Sequence, residues 1–239
     1  MRRTRALTTA VVALTMMVTG CTTGSGGEPT TGGSTPPTTS ADDATAAPTG
    51  PPSPTGAAVI PASALLQATD LGGTSPKPAE DGDNANLRPL RPCDARYPSD
   101  ATRTAAVAMK TVASPSPGSG ETPNVVLQYV GLHPGRAKEA YADIVAAIQR
   151  CPGGLGKGQY KWETAGSGIA GDESLLVRMS ERVSYGDADP NVVTVPVVLA
   201  RVGDHLLVLA DLGWENAGGS EEYVRALAPK AVDRLRTAG

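Results

Sequence analysis

Residues 191–212 have the sequence NVVTVPVVLARVGDHLLVLADL, in which Gly203-Asp204 separates two apolar runs. Each run has the length and the valine and leucine content of a strand, and a two-residue connection that contains glycine is typical of a β-hairpin. Pro196 lacks a backbone N–H, so its strand should lie at a sheet edge, or bulge, at that position. The stretch therefore predicts a pair of antiparallel strands.

Four more strands are predicted on the N-terminal side of this hairpin, where short apolar segments are separated by turn-forming residues. In the segment nearest the hairpin, Glu181 interrupts an apolar row that includes Val177 and Met179. The four segments cover residues 102–112, 124–132, 159–164 and 174–185.

Helices are predicted at three places. The clearest, residues 133–151, carries an apolar stripe with helical spacing and ends at Cys151 before a glycine-rich stretch. A closing helix begins after Ser220, which can cap it, and a short helix covers residues 60–71. Hairpins combined with amphipathic helices predict an α+β fold, with a mostly antiparallel twisted sheet of about six strands and helices packed on one face.

The first 20 residues predict a signal peptide of the lipoprotein type. Three arginines precede the apolar run 6–18, which is shorter than the ~20 apolar residues that a spanning helix needs. The run leads into Val18-Thr19-Gly20-Cys21, which resembles the bacterial lipobox, in which the cysteine becomes a lipidated N-terminus. We therefore expect diacylglycerol and palmitate on Cys21. The alternative is an ordinary secretory signal that contains a cysteine.

Residues 21–57 are predicted to be the lipid anchor followed by a disordered linker. From residue 22 onward they contain no Leu, Ile, Val, Met or aromatic side chain, and they are rich in Thr, Gly, Ser, Pro and Ala. Such a segment buries too little apolar area to offset the entropy of ordering it. The expected division is thus a signal peptide at 1–20, anchor and linker at 21–57, and one folded domain at 58–239.

The formal net charge is −3, from 21 basic and 24 acidic residues, and the sequence has no basic cluster. A chain of this kind offers little electrostatic attraction to nucleic acid. The expected partners are the membrane, through the lipid anchor, and an unidentified small-molecule or envelope ligand, with no nucleic acid.

Cys93 and Cys151 remain as an even pair once Cys21 is lipidated. In an extracytoplasmic compartment such a pair is typical of a structural disulfide. A metal site would need more ligands than two cysteines and scattered histidines supply, and a redox pair usually has Cys-x-x-Cys spacing. We therefore predict a disulfide that joins an extended, proline-containing loop to the end of helix 133–151.

Motifs that would carry chemistry are weak in this sequence. The stretch GGLGKG has Gly158 where a phosphate-binding loop needs Ser or Thr. DGDNAN, from Asp81, lacks oxygen ligands at later positions of a calcium loop. Asp172 and Glu173 could act as an acid–base pair, but a solvated strand entrance is the simpler interpretation. The sequence therefore predicts no catalytic residue, no metal ligand and no cofactor.

Tyr160, Trp162 and Trp214 are candidates to line a binding cleft, because large aromatic rings are rare in this chain. As anchors they would suit an apolar or a sugar ligand, and packing in the core is the alternative for each. The two histidines, His133 and His205, stand beside predicted turns and are interpreted as surface or capping residues.

The domain resembles the extracytoplasmic sensor domain of the actinobacterial PknH-type receptor kinases, which also occurs on lipoproteins without a kinase. The resemblance is carried by IQRCP at the end of the central helix, GDESLLVRMS at the start of a long strand, the hairpin VVLARVGDHLLVLADL and the closing helix. It covers roughly residues 62–237. It implies a twisted antiparallel sheet with helices packed on it and a cleft that binds an external ligand. Receptors of the family have two disulfides, and the cysteines here allow one.

The leading functional hypothesis is a non-enzymatic lipoprotein that presents a sensor-like, ligand-binding domain on the extracytoplasmic face of the cell membrane. An alternative from another class is a hydrolase or transferase that acts on envelope polymers through a site without a recognisable motif. A third is a structural partner of another envelope protein. Polar side chains with perturbed pKa values, clustered in one cleft, would favour the enzyme, and an apolar cleft without them would favour binding.

Overall fold

The computed structural model describes residues 58–113, 123–184, 189–215 and 217–238. The predicted signal peptide, the lipidation site Cys21 and the linker lie outside these residues. None of the helices in the described part of the chain has both the length and the hydropathy needed to cross a membrane. The elements of this part are β1 (Ala105–Ala113), β2 (Asn124–Leu132), α1 (Ala137–Arg150), β3 (Tyr160–Ser167), β4 (Glu173–Val183), β5 (Asn191–Val202), β6 (His205–Asp211) and α2 (Glu221–Ala238).

The strands form one antiparallel sheet in the order β1-β2-β6-β5-β4-β3. The β5–β6 hairpin closes as predicted, with Val202 paired to His205 across Gly203-Asp204. Gly203 has φ +56°, a left-handed conformation that tight turns need and that glycine adopts without strain. The α+β class with a mostly antiparallel sheet is therefore confirmed.

Pro196 lies inside an interior strand but beside a gap in its pairing. β4 pairs with β5 from Asn191 to Arg201, whereas β6 pairs with β5 only from Val197 onward. Pro196 directly precedes that point, so no strand on the β6 side requires a donor from it. On its β6 side, Pro196 therefore has the unpaired environment of an edge strand, as the sequence predicts.

The two α-helices pack on opposite faces of the sheet, which corrects the expectation that the helices share one face. α1 contributes Ile144 and Ile148 to one core cluster, and α2 contributes Leu227 and Val232 to the other. The physical reason lies in β6, where all five residues of the run LLVLA, 206–210, are buried. A strand that is apolar on both sides needs a cover on both sides. A continuous apolar run, unlike an alternating one, predicts two buried faces.

The helix expected over residues 60–71 is present only as a 3₁₀ turn at Ala62–Ala64. Beyond that turn, Leu66 donates its backbone N–H to Oε1 of Gln128 in β2 (2.8 Å), so a tertiary partner replaces a helical one. Leu66 and Leu71 are fully buried against the sheet on the α2 face. The apolar residues of this segment therefore cover the sheet without forming a helix.

Candidate ligand-binding cleft

Residues 86–94, called here the covering segment, lie on the α1 face of the sheet. Leu87 and Leu90 are fully buried in the same core cluster as α1. The backbone N–H of Arg91 donates to the carbonyl of Asn86 (2.8 Å), so the segment folds back on itself. These contacts hold the segment against the sheet without regular secondary structure over most of its length.

The predicted disulfide is present between Cys93, at the end of the covering segment, and Cys151. The two Cα atoms are 6.2 Å apart. Cys151 directly follows the last residue of α1, and its backbone N–H donates to the carbonyl of Ala147 (2.9 Å). The disulfide thus joins an irregular segment to a helix that packs on the same sheet face.

A cleft made of two cavities opens beside the covering segment. The first, the arginine cavity, has a volume of about 520 Å³ and is lined on the sheet side by β1 and β2. The second, the aromatic cavity, has a volume of about 470 Å³ and is lined on the sheet side by β3. Asn86, Arg91 and Asp94 line both cavities, so the two meet at the covering segment. Each volume is in the range of small-molecule sites.

The arginine cavity is lined by three guanidinium groups and a phenol. Arg103 donates from Nη1 to the hydroxyl of Tyr129 (3.2 Å), and Arg88 donates from Nη2 to the carbonyl of Glu80 (2.8 Å). Burial raises the pKa of Tyr129, so its hydroxyl stays protonated near neutral pH. The third guanidinium belongs to Arg91. Asp81 and Asp94 also line this half of the cleft, which therefore presents guanidinium donors together with carboxylate acceptors.

Arg91 is held in place by an aromatic neighbour as well as by charge. Its guanidinium lies over the ring of Tyr97, 5.3 Å from the ring centre. Tyr97 in turn donates its hydroxyl proton to the carbonyl of Leu90 (2.6 Å), and burial raises the pKa of this phenol well above its ordinary value. The wall shared by the two cavities is therefore fixed by interactions on both sides of Arg91.

The aromatic cavity contains two of the three aromatic residues predicted to line a cleft. The rings of Tyr160 and Trp162 are 6.4 Å apart in an edge-to-face arrangement. Trp162 is 2% exposed, whereas Tyr160 is half-buried. Burial raises the pKa of Tyr160, and the charges of Glu181 and Asp94 raise it further.

The third predicted residue, Trp214, is not part of this site. It follows β6 and forms a backbone bridge with Ala217. It lines neither the arginine cavity nor the aromatic cavity. The structure therefore brings Tyr160 and Trp162 together and leaves Trp214 apart.

The glycine-rich stretch 153–158 forms one wall of the aromatic cavity. Gly154 donates its N–H to the carbonyl of Tyr160 (3.3 Å), and Trp162 donates to the carbonyl of Pro152 (2.7 Å). Gly153 has φ +68°, and a β-carbon there would collide with the carbonyl oxygen of Tyr160. The glycine is needed for this close approach of two backbone segments.

Other residues singled out in the sequence lie outside the cleft. Asp172 and Glu173 both bind Arg201, at 3.0 and 2.6 Å, and so form an ion-pair cluster. His133 is 3% exposed and its Nδ1 is 3.1 Å from Oγ1 of Thr102, so the expectation of a surface histidine is wrong for this residue. Within the described residues, no three His, Cys, Asp or Glu side chains are grouped so as to hold a metal ion.

A further cavity, of about 620 Å³, adjoins the arginine cavity at the edge of β1. Its lining includes Lys110 and Asp83, whose side chains form an ion pair at 2.7 Å.

Of the residues that line the cleft, the sequence predicted only Tyr160 and Trp162. The proline-containing segment before Cys93 was recognised as irregular, but an irregular segment does not show which strands it covers. The polar cleft residues that were not predicted are Asp81, Asn86, Arg88, Arg91, Asp94, Arg103, Tyr129 and Gln159.

No family model matches this chain, and no curated protein matches it. A solved structure that matches is the extracellular domain of PknH from Mycobacterium tuberculosis. It is 14% identical, the match covers 73% of this chain and 93% of that chain, and the TM-score is 0.44. The likeness is therefore a weak one, at the level of the fold.

Proposed function

We propose that this chain is a non-enzymatic binding protein of the cell envelope, anchored to the extracytoplasmic face of the membrane by a lipid on Cys21, and that the cleft holds its ligand. The observation that carries the proposal is that the two cavities share Asn86, Arg91 and Asp94, so they form one cleft. Together they have room for a ligand of small-molecule size. A sensor-like role is part of the proposal, since an anchored binding domain can report on the ligand it holds.

The chemistry of the lining supports binding rather than catalysis. Within the described residues it contains no histidine, serine, threonine or free thiol, because its one cysteine, Cys93, is in the disulfide. Nucleophilic catalysis by a hydroxyl or thiol, and acid–base catalysis by histidine, use these groups, whereas the lining carries the carboxylates of Asp81 and Asp94. Tyr129 and Tyr160 have raised pKa values caused first by burial, so both phenols remain neutral hydrogen-bonding groups near neutral pH.

The proposed anchor rests on the sequence around Cys21 alone. Residues 22–57 would then separate the domain from the membrane. A chain of this composition and length reaches about 35 Å as a flexible coil and about 100 Å if it is fully extended by its prolines. The cleft would thus be presented at some distance from the bilayer surface.

Native mass spectrometry of the full-length protein, purified from its own membrane, tests the proposal. We expect a bound molecule in addition to the lipid anchor. A bulky side chain at the junction of the two cavities should remove it, because Asn86 lines both. Asn86→Tyr is therefore expected to lose the bound molecule.

Val112→Tyr is the matched control. Val112 is 43% exposed on β1 and does not line the cleft. Both variants are checked for the Cys93–Cys151 linkage by peptide mapping, so that loss of ligand is separated from loss of fold. A bound molecule that survives Asn86→Tyr, or turnover of an envelope polymer by the purified protein, would contradict the proposal.

A further inference from the structure

We infer that the aromatic cavity binds a sugar that is neutral or carries an amino group, an inference that rests on the proposed binding function and names the class of its ligand. The cavity combines the half-buried ring of Tyr160, backed by the buried ring of Trp162, with the planar polar side chains of Asn86, Asp94 and Gln159. A sugar ring has apolar C–H faces that pack on aromatic rings. Its hydroxyl groups, at the ring edge, bond to carboxylate and amide groups.

The polar side chains of this cavity have unused hydrogen-bonding capacity. Asp94 makes no hydrogen bond or ion pair through its carboxylate with any other described residue. Asn86 directs Nδ2 to Sδ of Met179 (3.2 Å), which leaves Oδ1 as an acceptor. Gln159 accepts from the N–H of Gly156 at Oε1 (3.3 Å), which leaves Nε2 as a donor. A sugar hydroxyl both donates and accepts, so it can satisfy groups of both kinds.

The backbone fixes Asp94 in place before any ligand binds. Cys93 and Asp94 have φ +48° and +56°, a region that residues other than glycine rarely adopt. Hydrogen bonds from Asp94 N–H to the carbonyl of Arg91 (3.1 Å) and from Ala95 N–H to the carbonyl of Pro92 (3.0 Å) maintain this conformation. Strained backbone of this kind is concentrated at ligand sites, and a main chain that is already fixed loses little entropy when a ligand binds.

The charges around the cavity select among sugars. The guanidinium of Arg91 is neutralised by Asp100 through two hydrogen bonds, whereas Asp94 is unpaired. Glu181, the residue that interrupts the apolar row of β4, lies opposite Tyr160 in the β3–β4 ladder. The unpaired charge in the lining is therefore the carboxylate of Asp94, so the cavity should accept neutral and amino sugars and exclude sugars that carry carboxylate or phosphate groups.

A titration of the full chain in detergent with defined trisaccharides tests the inference. Every sample carries Trp214→Phe, which leaves Trp162 in the cavity as the single tryptophan. The panel consists of trisaccharides of glucose, mannose, galactose, N-acetylglucosamine and glucosamine, with trigalacturonic acid as the anionic member. Trp162 emission and saturation-transfer NMR follow binding. We expect saturable binding of at least one neutral or amino member and none of trigalacturonic acid.

Asp94→Asn and Tyr160→Leu should each weaken that binding about tenfold or more, since one removes a charged acceptor and the other an aromatic face. Glu163→Gln is the matched control for charge. Glu163 is on β3 but outside the lining, and it pairs with Lys161 at 2.6 Å. We expect this control to bind within about twofold of the parent, as a change at an exposed ion pair should.

Several outcomes overturn the inference. Absence of binding by every neutral and amino sugar at millimolar concentration does so, and so does binding that Asp94→Asn and Tyr160→Leu leave unchanged. Preference for trigalacturonic acid contradicts the charge argument, and tetramethylammonium that binds as tightly as the amino sugar shows a cation site instead. A retained molecule that is not a sugar, and that Asn86→Tyr removes, refutes this inference alone and leaves the proposed binding function standing.

Discussion

Arg91 and Asp100 form a two-point ion pair, with Nη1 to Oδ2 at 3.0 Å and Nη2 to Oδ1 at 2.8 Å. The pair joins the covering segment to the 3₁₀ turn Pro98–Thr102, so it connects the wall of the cleft to the chain that leads into β1. Burial alone would raise the pKa of Asp100, but the hydrogen bonds from Arg91 and from the N–H of Tyr97, together with the charges of Arg91 and Arg103, outweigh burial and the pKa is lowered. The stabilisation is therefore present above the ordinary value of 3.8 and is lost as pH falls through the folded-state pKa.

Arg91→Lys should lower the free energy of unfolding by about 1–2 kcal/mol, because lysine keeps the charge but cannot make both hydrogen bonds. Urea denaturation at neutral pH measures the change. Arg136→Lys is the control: Arg136 is 3.7 Å from Glu139 in an exposed pair, and a change below about 0.5 kcal/mol is expected. Equal losses in the two variants would show that the geometry of the Arg91 pair contributes nothing.

Replacing both Cys93 and Cys151 by alanine should lower the free energy of unfolding by about 4 kcal/mol. The cysteines are 58 residues apart, and in the chain-entropy model a loop of this length restricts the unfolded chain by about that amount. Urea denaturation of the oxidised parent and of the double variant gives the difference. Recovery of both cysteines as free thiols from unfolded, unreduced parent protein would contradict the disulfide itself.

Gly153→Ala should destabilise the domain more than Gly158→Ala does. Both glycines have a positive φ, +68° and +69°, but a β-carbon at 153 meets the carbonyl of Tyr160, whereas at 158 no atom lies within 4 Å. The difference between the variants therefore isolates the collision from the backbone strain that they share. We expect it to exceed about 1 kcal/mol in thermal or urea unfolding. Equal losses of stability in the two variants would contradict the prediction, because they would mean that the stretch 153–158 can move away from β3 without an energetic cost.

The contribution of the buried Asp211 carboxyl to the free energy of unfolding should fall as pH rises above 3.8. Burial raises its pKa, while hydrogen bonds from the N–H groups of Gly213 and Ser220 act in the other direction. A raised folded-state pKa means that the contribution is fully present below 3.8 and is lost as pH rises through the folded-state value. Asparagine does not titrate, so Asp211→Asn should not lose stability in this way. The difference in free energy of unfolding between wild type and variant should therefore narrow as pH rises from 3.8 through the folded-state pKa of Asp211. Urea denaturation from pH 4 to pH 7 measures the gap, and a constant gap would contradict the prediction.

Cys21→Ala should abolish labelling by radioactive palmitate and release the protein from the membrane fraction. If residues 18–21 act as a lipobox, the lipid is attached to this thiol and serves as the proposed membrane anchor. Labelling in growing cells, followed by membrane fractionation, measures both effects. Val18→Leu, which brings the box closer to its commonest form, is the control and should label normally. Membrane retention of the alanine variant would refute the anchor.

Local patterns in the sequence were sufficient for most of the fold. The hairpin at Gly203-Asp204 and the helix before Cys151 depend on turn chemistry and residue spacing, which act over a few positions and can be recognised without knowing the rest of the chain. The pairing of Cys93 with Cys151 followed from parity and compartment. The antiparallel pairing of β1 with β2, and of β3 to β6 in chain order, followed because short connections permit little else, whereas the pairing of β2 with β6 joins distant parts of the chain.

The cleft depended on contacts between residues far apart in the chain. Leu90 and Trp162 are 72 positions apart and are buried in one core cluster, and only that packing places the covering segment between the two cavities. Tertiary structure also separates the two tryptophans. Trp162 lies on β3 in the cleft, whereas Trp214 follows β6 and lies outside the cleft. Burial of the continuous apolar run of β6 on both sides then decided that α1 and α2 cover opposite faces. Residue spacing determines local conformation. The packing partner of each apolar surface is determined by the whole chain, because the free energy of burial depends on the total apolar area removed from water and not on local sequence.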